Sequence, residues 1–540
     1  MITSLLLSIL LFMLKKAFLF LLLLMIPFLV FAEDEDYFFT SDIPVTYGDT
    51  LFRERILERT GGDRDPIGLV LTGGSARALA HLGVLSYLEE NGIVPDFIIS
   101  NSMGSIIALL YAAGLEPAQI AEFLKIGDLS NYFSLTLPLY GGLLDASGFR
   151  SLVDAVVGPD LRLEDLEIPV MVICDDLVTK REIRIAEGDF TDVLIASFAL
   201  PVYFPPCEYN GHLLLDGGVK SLAPISDAYE YSDTVIISTT FYDLDTINLR
   251  NPITVLNSAF DVGKRQRAAS DMKEHSGYIW IRCAVEQFSF MDFASAFEMM
   301  EIGYESAKEQ ADALSGIYKS GSDGFSALRA SYEENIAKVR KDLYYFDRVE
   351  SKDVSNVLSL GYKGYDADDS YLNEALALGL KYKLRYRMVD FDAIIGYAFN
   401  THSSYWGELG PSLDMSLNLY PVDRLRISLG SNYTWYDWRW VPSVYLKEGL
   451  DYRLLVIPDS IRLNLGEDFE FFRSQDGEWM YLGNVSFEAA YESGIWKMDN
   501  ARLSYLLTQR NGGDFRQYVE SLEWITESLF LFRFSPMHHS

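Results

Sequence analysis

Cysteine is scarce in this chain of 540 residues. Cys174, Cys207 and Cys283 are an odd set, scattered far apart. That excludes a disulfide framework and offers no zinc-ligand spacing, so each reads as a small buried apolar residue. Positive charge is in short supply as well: 45 Lys and Arg stand against 77 Asp and Glu, a formal net charge of −32. No nucleic-acid partner is expected, because phosphate backbones recruit basic surfaces. Simple electrostatic attachment to anionic lipid is disfavoured for the same reason. The acidity itself reads as a solvated surface. Histidines are few, and His538 and His539 fall at the extreme C-terminus. What the chain has in plenty is apolar residues, 49% of the total. That supports real cores and argues against disorder, and the length calls for two or three domains.

At the N-terminus Lys15 and Lys16 precede an uninterrupted apolar run from Ala17 to Phe31, and Ala32 then meets Glu33-Asp34-Glu35-Asp36. A charged region, an apolar region and a small residue before a polar start describe a secretory signal. Residues 1–32 are therefore expected to be a signal peptide and the protein to be exported. The residues before Met13 are unusually apolar for such a leader, which favours Met13 over Met1 as the start. Residues 4–31 are long enough to be a retained membrane anchor, but the run after the lysines is short for a span. Residues 33–63 read as an acidic leader and linker with a short charged helix around Leu51 to Arg59.

Between residues 64 and 318, apolar runs such as Val170 to Cys174 and Thr234 to Ile237 alternate with helical stretches, the pattern of a layered α/β domain. Two turns stand out. Leu71-Thr72-Gly73-Gly74-Ser75-Ala76-Arg77 follows the run Gly68 to Leu71, and Ser100-Asn101-Ser102-Met103-Gly104 follows Phe97 to Ile99. Each opens an apolar helical pattern ending at a glycine, Gly92 or Gly114, so strand–turn–helix occurs twice. The second turn exposes Ser102 between small neighbours, as a strained nucleophile elbow does. The first offers free backbone N–H groups. Nucleophile and oxyanion cradle are the parts an acyl-transfer site needs first. Taken alone, Ser102 would more readily be a helix-capping serine.

It does not stand alone. The run from Gly68 to Leu85 resembles the glycine-rich oxyanion loop and first helix of the patatin-like phospholipases (PNPLA), and Ser100 to Gly104 falls at that family's elbow. Ala196-Ser197-Phe198-Ala199-Leu200-Pro201, Phe204-Pro205-Pro206 and Asp216-Gly217-Gly218 are similar to the segment that ends in its Asp-Gly-Gly/Ala motif. Asp292-Phe293 and the helix through Gly303 and Tyr304 resemble its closing helix. The resemblance covers about residues 65–318, with the motifs in order. It implies a three-layer α/β/α domain acting on lipid or phospholipid through a Ser–Asp dyad, with Ser102 as nucleophile and Asp216 as general base. It implies an oxyanion hole at Gly73 and Gly74, with Arg77 supporting that loop. Ser75, Gly104, Gly217 and Gly218 would support the motifs, and no metal or cofactor is implied.

Three positions depart from the family pattern. Ser75 replaces the third glycine of the loop, Ala78 the glycine after the basic residue, and Ser100 the first glycine of the elbow. A glycine required at positive φ is not freely replaced, so Ser75 bears most on activity. The alternative is a catalytically weak or inactive domain with a binding or outer-membrane structural role. A further rival is a hydrolase of non-lipid esters in which His212 or His275 completes a triad. His81, Asp175 and Asp176 read as structural.

Residues 319–350 are polar and partly helical, a plausible connector. From 351 to 540 the period becomes two. Leu376, Leu378, Leu380, Tyr382, Leu384, Tyr386 and Met388 alternate with Ala377, Gly379, Lys381, Lys383, Arg385 and Arg387. Similar alternation recurs through Leu413 to Leu419, Leu425 to Leu429, Ile461 to Leu465 and Phe530 to Phe534. Roughly ten to twelve strands are expected, many near the length of a tilted transmembrane strand. With a signal peptide, they suggest an antiparallel β-barrel-like domain in an outer membrane, and hence a protein of the outer membrane or cell surface/periplasm. A soluble antiparallel sheet gives similar alternation. The cationic stripe from Lys381 to Arg387 would line a lumen or solvate an exposed face. Residues 351–540 are few for the large barrels that accompany such domains, and the last alternating strand stops near Phe534.

Overall fold

The computed structural model describes residues 43–125, 132–240, 252–289, 292–319, 325–346, 348–350, 354–365, 375–400, 409–422, 425–436, 441–456, 459–473, 479–492, 501–512, 515–526 and 530–534. The expected signal peptide lies outside the described residues, as do residues 33–42 of the acidic leader, His402, His538 and His539.

The first part of the chain runs β1 (Val45–Tyr47), α1 (Asp49–Thr60), β2 (Ile67–Leu71), α2 (Ala80–Glu90), β3 (Phe97–Asn101) and α3 (Ser102–Ala112). A small hairpin follows, β4 (Ser134–Leu135) and β5 (Leu144–Asp145). Then come β6 (Val170–Asp176), β7 (Glu182–Ile185), β8 (Cys207–Tyr209), β9 (His212–Asp216), β10 (Thr234–Thr239) and β11 (Ile279–Arg282). The main sheet is ordered β1-β7-β6-β3-β2-β10-β11, with β9 also on β6 and β8 on β9. Its centre is parallel, β10 to β2 to β3 to β6, while β7 and β9 lie antiparallel to β6.

The continuous apolar runs have a physical reason. A central parallel strand is covered on both faces, so both sides of its pleat must be apolar. Ile67, Leu69, Leu71, Ile98, Val172 and Ile236 join one buried cluster, with Leu82 and Leu85 of α2 and Ile107 and Leu110 of α3. Val70, Phe97, Ile99, Met171 and Ile237 join a second, with Phe52 and Ile56 of α1. Alternate residues of the same strands thus feed opposite cores, which makes the part a three-layer α/β/α sandwich. Helix Ala296–Lys308 crosses α2 closely, with the Gly83 Cα against the Met300 carbonyl and the Gly303 Cα against that of Ala80, leaving no room for a Cβ at either.

Helix Ser326–Phe346 belongs to the first cluster through Tyr332, Ile336 and Val339. Tyr332 Oη donates to the Ala113 carbonyl at 2.9 Å, and Asn335 Nδ2 to that of Val156 at 2.7 Å. Residues expected to be a connector therefore extend the α/β core.

The second sheet is a meander of β12 (Ser355–Tyr365), β13 (Ala375–Tyr386), β14 (Val389–Asn400), β15 (Leu409–Val422), β16 (Leu425–Tyr436), β17 (Val441–Val456), β18 (Asp459–Arg473), β19 (Trp479–Glu492), β20 (Ala501–Gly512), β21 (Phe515–Thr526) and β22 (Phe530–Phe534). It is an 11-stranded sheet in which each strand pairs with the next. Among the described residues no ladder joins β12 to β22.

The faces of this sheet are inverted relative to a water-soluble one. Leu360 lies opposite Leu380, and Leu380 opposite Ile395. All are exposed, Leu360 by 76% and Ile395 by 65%. On the other face Lys383 lies opposite Asp392 and Arg385 opposite Asp390. Asp390, Ser412 and Asp414 are buried, and Arg385 Nε reaches Asp390 Oδ1 at 3.2 Å. Lys383 and Arg385 of the cationic stripe thus lie on the less exposed face and are answered by carboxylates on the neighbouring strand, while Arg387 is exposed. Arg348, just past the last helix, sits over the Tyr420 ring at 4.3 Å and lies 3.6 Å from Asp390 Oδ1, fastening the α/β part to this polar face.

Candidate active site

The site is built where β2, β3 and β9 end. At the end of β3 the chain turns straight into α3, and Ser102, its first helical residue, has φ 52°. Positive φ at a non-glycine residue is strained, and at an elbow it thrusts the side chain away from both strand and helix. The turn closes because Gly104 has no side chain: a Cβ there would fall 2.5 Å from the Leu71 carbonyl oxygen. Ser102 Oγ donates to Asp216 Oδ2 at 2.6 Å.

Asp216 ends β9, and its Oδ1 accepts the Gly218 amide at 2.7 Å, which fixes the carboxylate plane. Gly217 lies against the Ile173 carbonyl, and a Cβ on Gly218 would stand 3.0 Å from Asp216 Oδ1, so both glycines serve close approach. Burial pushes the Asp216 carboxyl up to about 6, against the opposing pull of the Ser102 hydroxyl and the Gly218 amide. A carboxylate so shifted is a stronger base than an ordinary one, yet still ionised at neutral pH.

The glycine loop covers the pair. A Cβ on Gly73 would fall 2.7 Å from Ser102 Cβ, and one on Gly74 would collide with Thr240 Oγ1. Gly74 has φ 154° and Ser75 φ 52°. The serine that replaces the family's third glycine therefore does stand in the left-handed region. The Gly73 amide donates to Asn101 Oδ1 at 2.9 Å. This corrects the expectation that both glycines present free amides: the Gly73 amide is already bonded. Arg77 supports the loop from behind. Its Nε donates to the Phe288 carbonyl and its Nη2 to that of Glu286, each at 2.8 Å.

Two positioning residues carry more than their motif suggested. Asn101 also donates through Nδ2 to the Ser221 carbonyl at 2.8 Å, so one amide ties loop, elbow and the segment after Asp216 together. His81 is fully buried. Its Nε2 lies 2.8 Å from the Thr72 carbonyl and must donate to it, leaving Nδ1 to accept from Ser238 Oγ at 2.7 Å. Burial lowers its pKa to about 4, so the ring stays neutral and steadies the residue before Gly73. Asn101 sat inside the elbow motif, but only the fold shows both of its partners.

The remaining candidates lie elsewhere. His212 joins Asp176 Oδ2 and Tyr47 Oη, each at 2.9 Å, and His275 stacks on Tyr229. Neither contacts Ser102, so the dyad geometry stands without them. Asp175 accepts the Lys220 amide at 2.9 Å, and Asp176 caps the turn at Val178 and Thr179.

Residues 69–229, which contain loop, elbow and Asp216, match the family described as patatin-like phospholipase. The chain therefore carries a patatin-like phospholipase domain. Over 273 residues it is 27% identical to patatin-like phospholipase domain-containing protein 7 of Rattus norvegicus, covering 44% of this chain and 20% of that protein. Over 272 residues it is 26% identical to lysophospholipase NTE1 of Kluyveromyces lactis, covering 44% and 18%. An uncharacterized NTE family protein of Mycobacterium bovis is 31% identical over 171 residues, covering 31% of this chain and 47% of that one. The chain thus spans about a fifth of the first relative and about half of the last. Among solved structures it is similar to VipD of Legionella pneumophila, with TM-score 0.30 and 13% identity over 52% of this chain and 75% of that one.

Two variants test the local reading. Asn101→Ala should lower turnover of an ester substrate by about 10²-fold, the effect of misplacing a reacting group by an ångström. Asn101→Asp, which keeps the Oδ1 acceptor, should recover part of that loss; equal losses would remove the positioning role. Ser100 is buried and its Oγ has no hydrogen-bond partner among the described residues. Ser100→Ala should raise stability by about 1 kcal/mol by removing an unsatisfied hydroxyl, read as an increase in Tm.

Proposed function

We propose that this protein is an exported lipid acyl hydrolase of the phospholipase A type, working through Ser102 and Asp216. The observation that carries the reading is the 2.6 Å hydrogen bond from Ser102 to a buried carboxylate, made at a strained elbow beneath a glycine loop. Ser102 Oγ attacks the ester carbonyl carbon as its proton passes to Asp216 Oδ2. The tetrahedral oxyanion is met by the Gly74 amide and by first-turn amides of α3. Collapse expels the alcohol, which takes the proton from Asp216 and leaves an acyl-Ser102 ester. Asp216 then deprotonates water, whose attack releases the carboxylic acid and restores the serine.

The exposed apolar and less exposed charged faces of the second sheet support an outer-membrane setting for it, since lipid makes an exposed leucine face favourable at such extent. At the end nearest the α/β domain, Tyr386 to Val389, Val422 to Leu425 and Val456 to Asp459 are closely joined, while Glu492 and Ala501 lie farther apart. At the other end Tyr365 and Ala375, Asn400 and Leu409, and Arg473 and Trp479 lie farther apart, while Gly512 and Phe515 are close, so the shorter connections gather on balance at the first end. Short turns characterise the periplasmic side of such barrels, which supports a hydrolase domain facing the periplasm.

The test is to reconstitute the full chain in phospholipid vesicles and identify products by mass spectrometry. Free fatty acid with a lysophospholipid or glycerophosphodiester, together with a fluorophosphonate adduct on Ser102, is expected. The Gly73 amide already held by Asn101 is the observation that favours a catalytically weak domain. Adduct formation without lipid turnover would select that reading.

A further inference from the structure

The hairpin formed by β4 and β5 carries three exposed leucines: Leu135, exposed by 71%, Leu139, by 66%, and Leu143. A single exposed leucine is ordinary; three on one short hairpin make a patch. The segment is held firmly. Ser134 and Leu135 pair with Asp145 and Leu144, the Thr136 amide donates to the Leu143 carbonyl at 2.9 Å, and the Leu144 amide to that of Tyr203 at 2.8 Å. Gly142 lies against the backbone at Phe204 and Pro205. The patch is therefore built in, not a loop caught in passing.

Its position supplies the occupant. The Leu137 amide donates to the Leu358 carbonyl of β12 at 3.0 Å, and Thr136 Oγ1 to the same oxygen at 2.8 Å. Ser355 Oγ meets Ser147 Oγ at 2.8 Å just behind. The hairpin is thus stitched to the strand whose Leu360, two residues on, begins the outward apolar face shared with Leu380 and Ile395. On its inner side, Phe133 packs against Phe149, Phe198 and Phe204, with ring centroids 5.6, 6.1 and 5.0 Å away. Phe198 follows Ser197, whose Oγ lies 3.4 Å from the Ser102 carbonyl.

We propose that Leu135, Leu139 and Leu143 form a tip that enters the acyl region of the bilayer leaflet beside the sheet, so that Ser102 draws phospholipid from that leaflet rather than from solution. The proposal rests on the reading of the sheet as membrane-embedded and of the site as a lipid hydrolase. The occupant is phospholipid acyl chain, because the patch continues the apolar face of β12 and carries no cation to seek a headgroup.

The experiment uses the full chain in vesicles with Ser102→Ala, so that lipid is not consumed, and Cys207→Ser, which removes the half-buried thiol. Bimane is attached at Leu139→Cys, at Leu360→Cys as a sheet control, and at Glu58→Cys as an aqueous control. Lipids brominated on the acyl chain should quench the label at 139 and 360 about twofold or more and leave 58 unchanged. Quenching at 360 but not at 139 overturns the tip alone. Quenching at neither overturns the membrane reading and the tip with it. A second arm replaces all three leucines by serine in the active chain. Vesicle hydrolysis should fall about tenfold through a raised KM, while a short-chain p-nitrophenyl ester in solution is turned over as before. Equal loss on both substrates would assign the leucines to folding and reject the proposal.

Discussion

Ser102→Ala will lower fatty acid release from phospholipid vesicles by about 10⁴-fold or more, and Asp216→Asn by a comparable factor. The double variant should lose little beyond either single one, since nucleophile and base act as a unit and their effects do not add. Additive losses would mean that another group takes the serine proton. The parent's pH profile carries the same information. Asp216 must be ionised to accept that proton, and burial raises its pKa to about 6, so kcat/KM should rise with pH through about 6 and then level. Stability should move in the opposite direction. The folded pKa lies above the ordinary carboxylate value of 3.8, so the folded state holds the proton more tightly than the unfolded chain. Stability is therefore lost as pH rises from about 4 to about 6, and above that the ionised carboxylate is a burden on the order of 3 kcal/mol. Asp216→Asn should be inactive yet raise Tm at neutral pH. An inactive variant with an unchanged or lower Tm would leave the buried charge unsupported as the cause.

Much of the α/β half of this molecule was readable because its parts are local. A turn of small residues between an apolar strand and an apolar helix has few geometries, so Ser102 and the glycine loop could be placed from short motifs. Asp216 needed the family resemblance, since nothing near it in sequence says that β9 returns to β6 beside the elbow. Which loop amides are already bonded was not readable. That depends on Asn101, whose side chain could have capped its own helix but accepts instead from Gly73. The partners of Arg77 and His81 were hidden for the same reason: Arg77 meets the distant Phe288 and Glu286 carbonyls, and His81 joins the nearby Thr72 carbonyl to the distant Ser238 hydroxyl. The reach of the α/β core through Tyr332 and Val339 was missed because a polar outer face on a long helix looks like a linker until its buried stripe finds a surface. In the second sheet the alternation fixed which residues share a face. It could not say which face is outward, because a period of two is the same for a soluble and a lipid-facing strand.

That orientation makes Ile395→Arg the most decisive change outside the active site. Ile395 is 65% exposed and paired with Leu380 and Leu413 in the middle of β14. In water, an arginine at so open a position is nearly neutral, within about 0.5 kcal/mol. In a bilayer it must desolvate or pull water inward, a penalty of about 2–4 kcal/mol near the midplane. The variant should therefore assemble poorly into phospholipid vesicles, with its unfolding transition moved to lower urea, while the α/β domain keeps its Ser102 reactivity toward a soluble ester. Assembly equal to the parent would mean that this face meets water in the functional state. The leucines from Leu360 to Leu465 would then have to be covered by protein, and the hydrolase would reach its lipid by diffusion rather than by being anchored beside it.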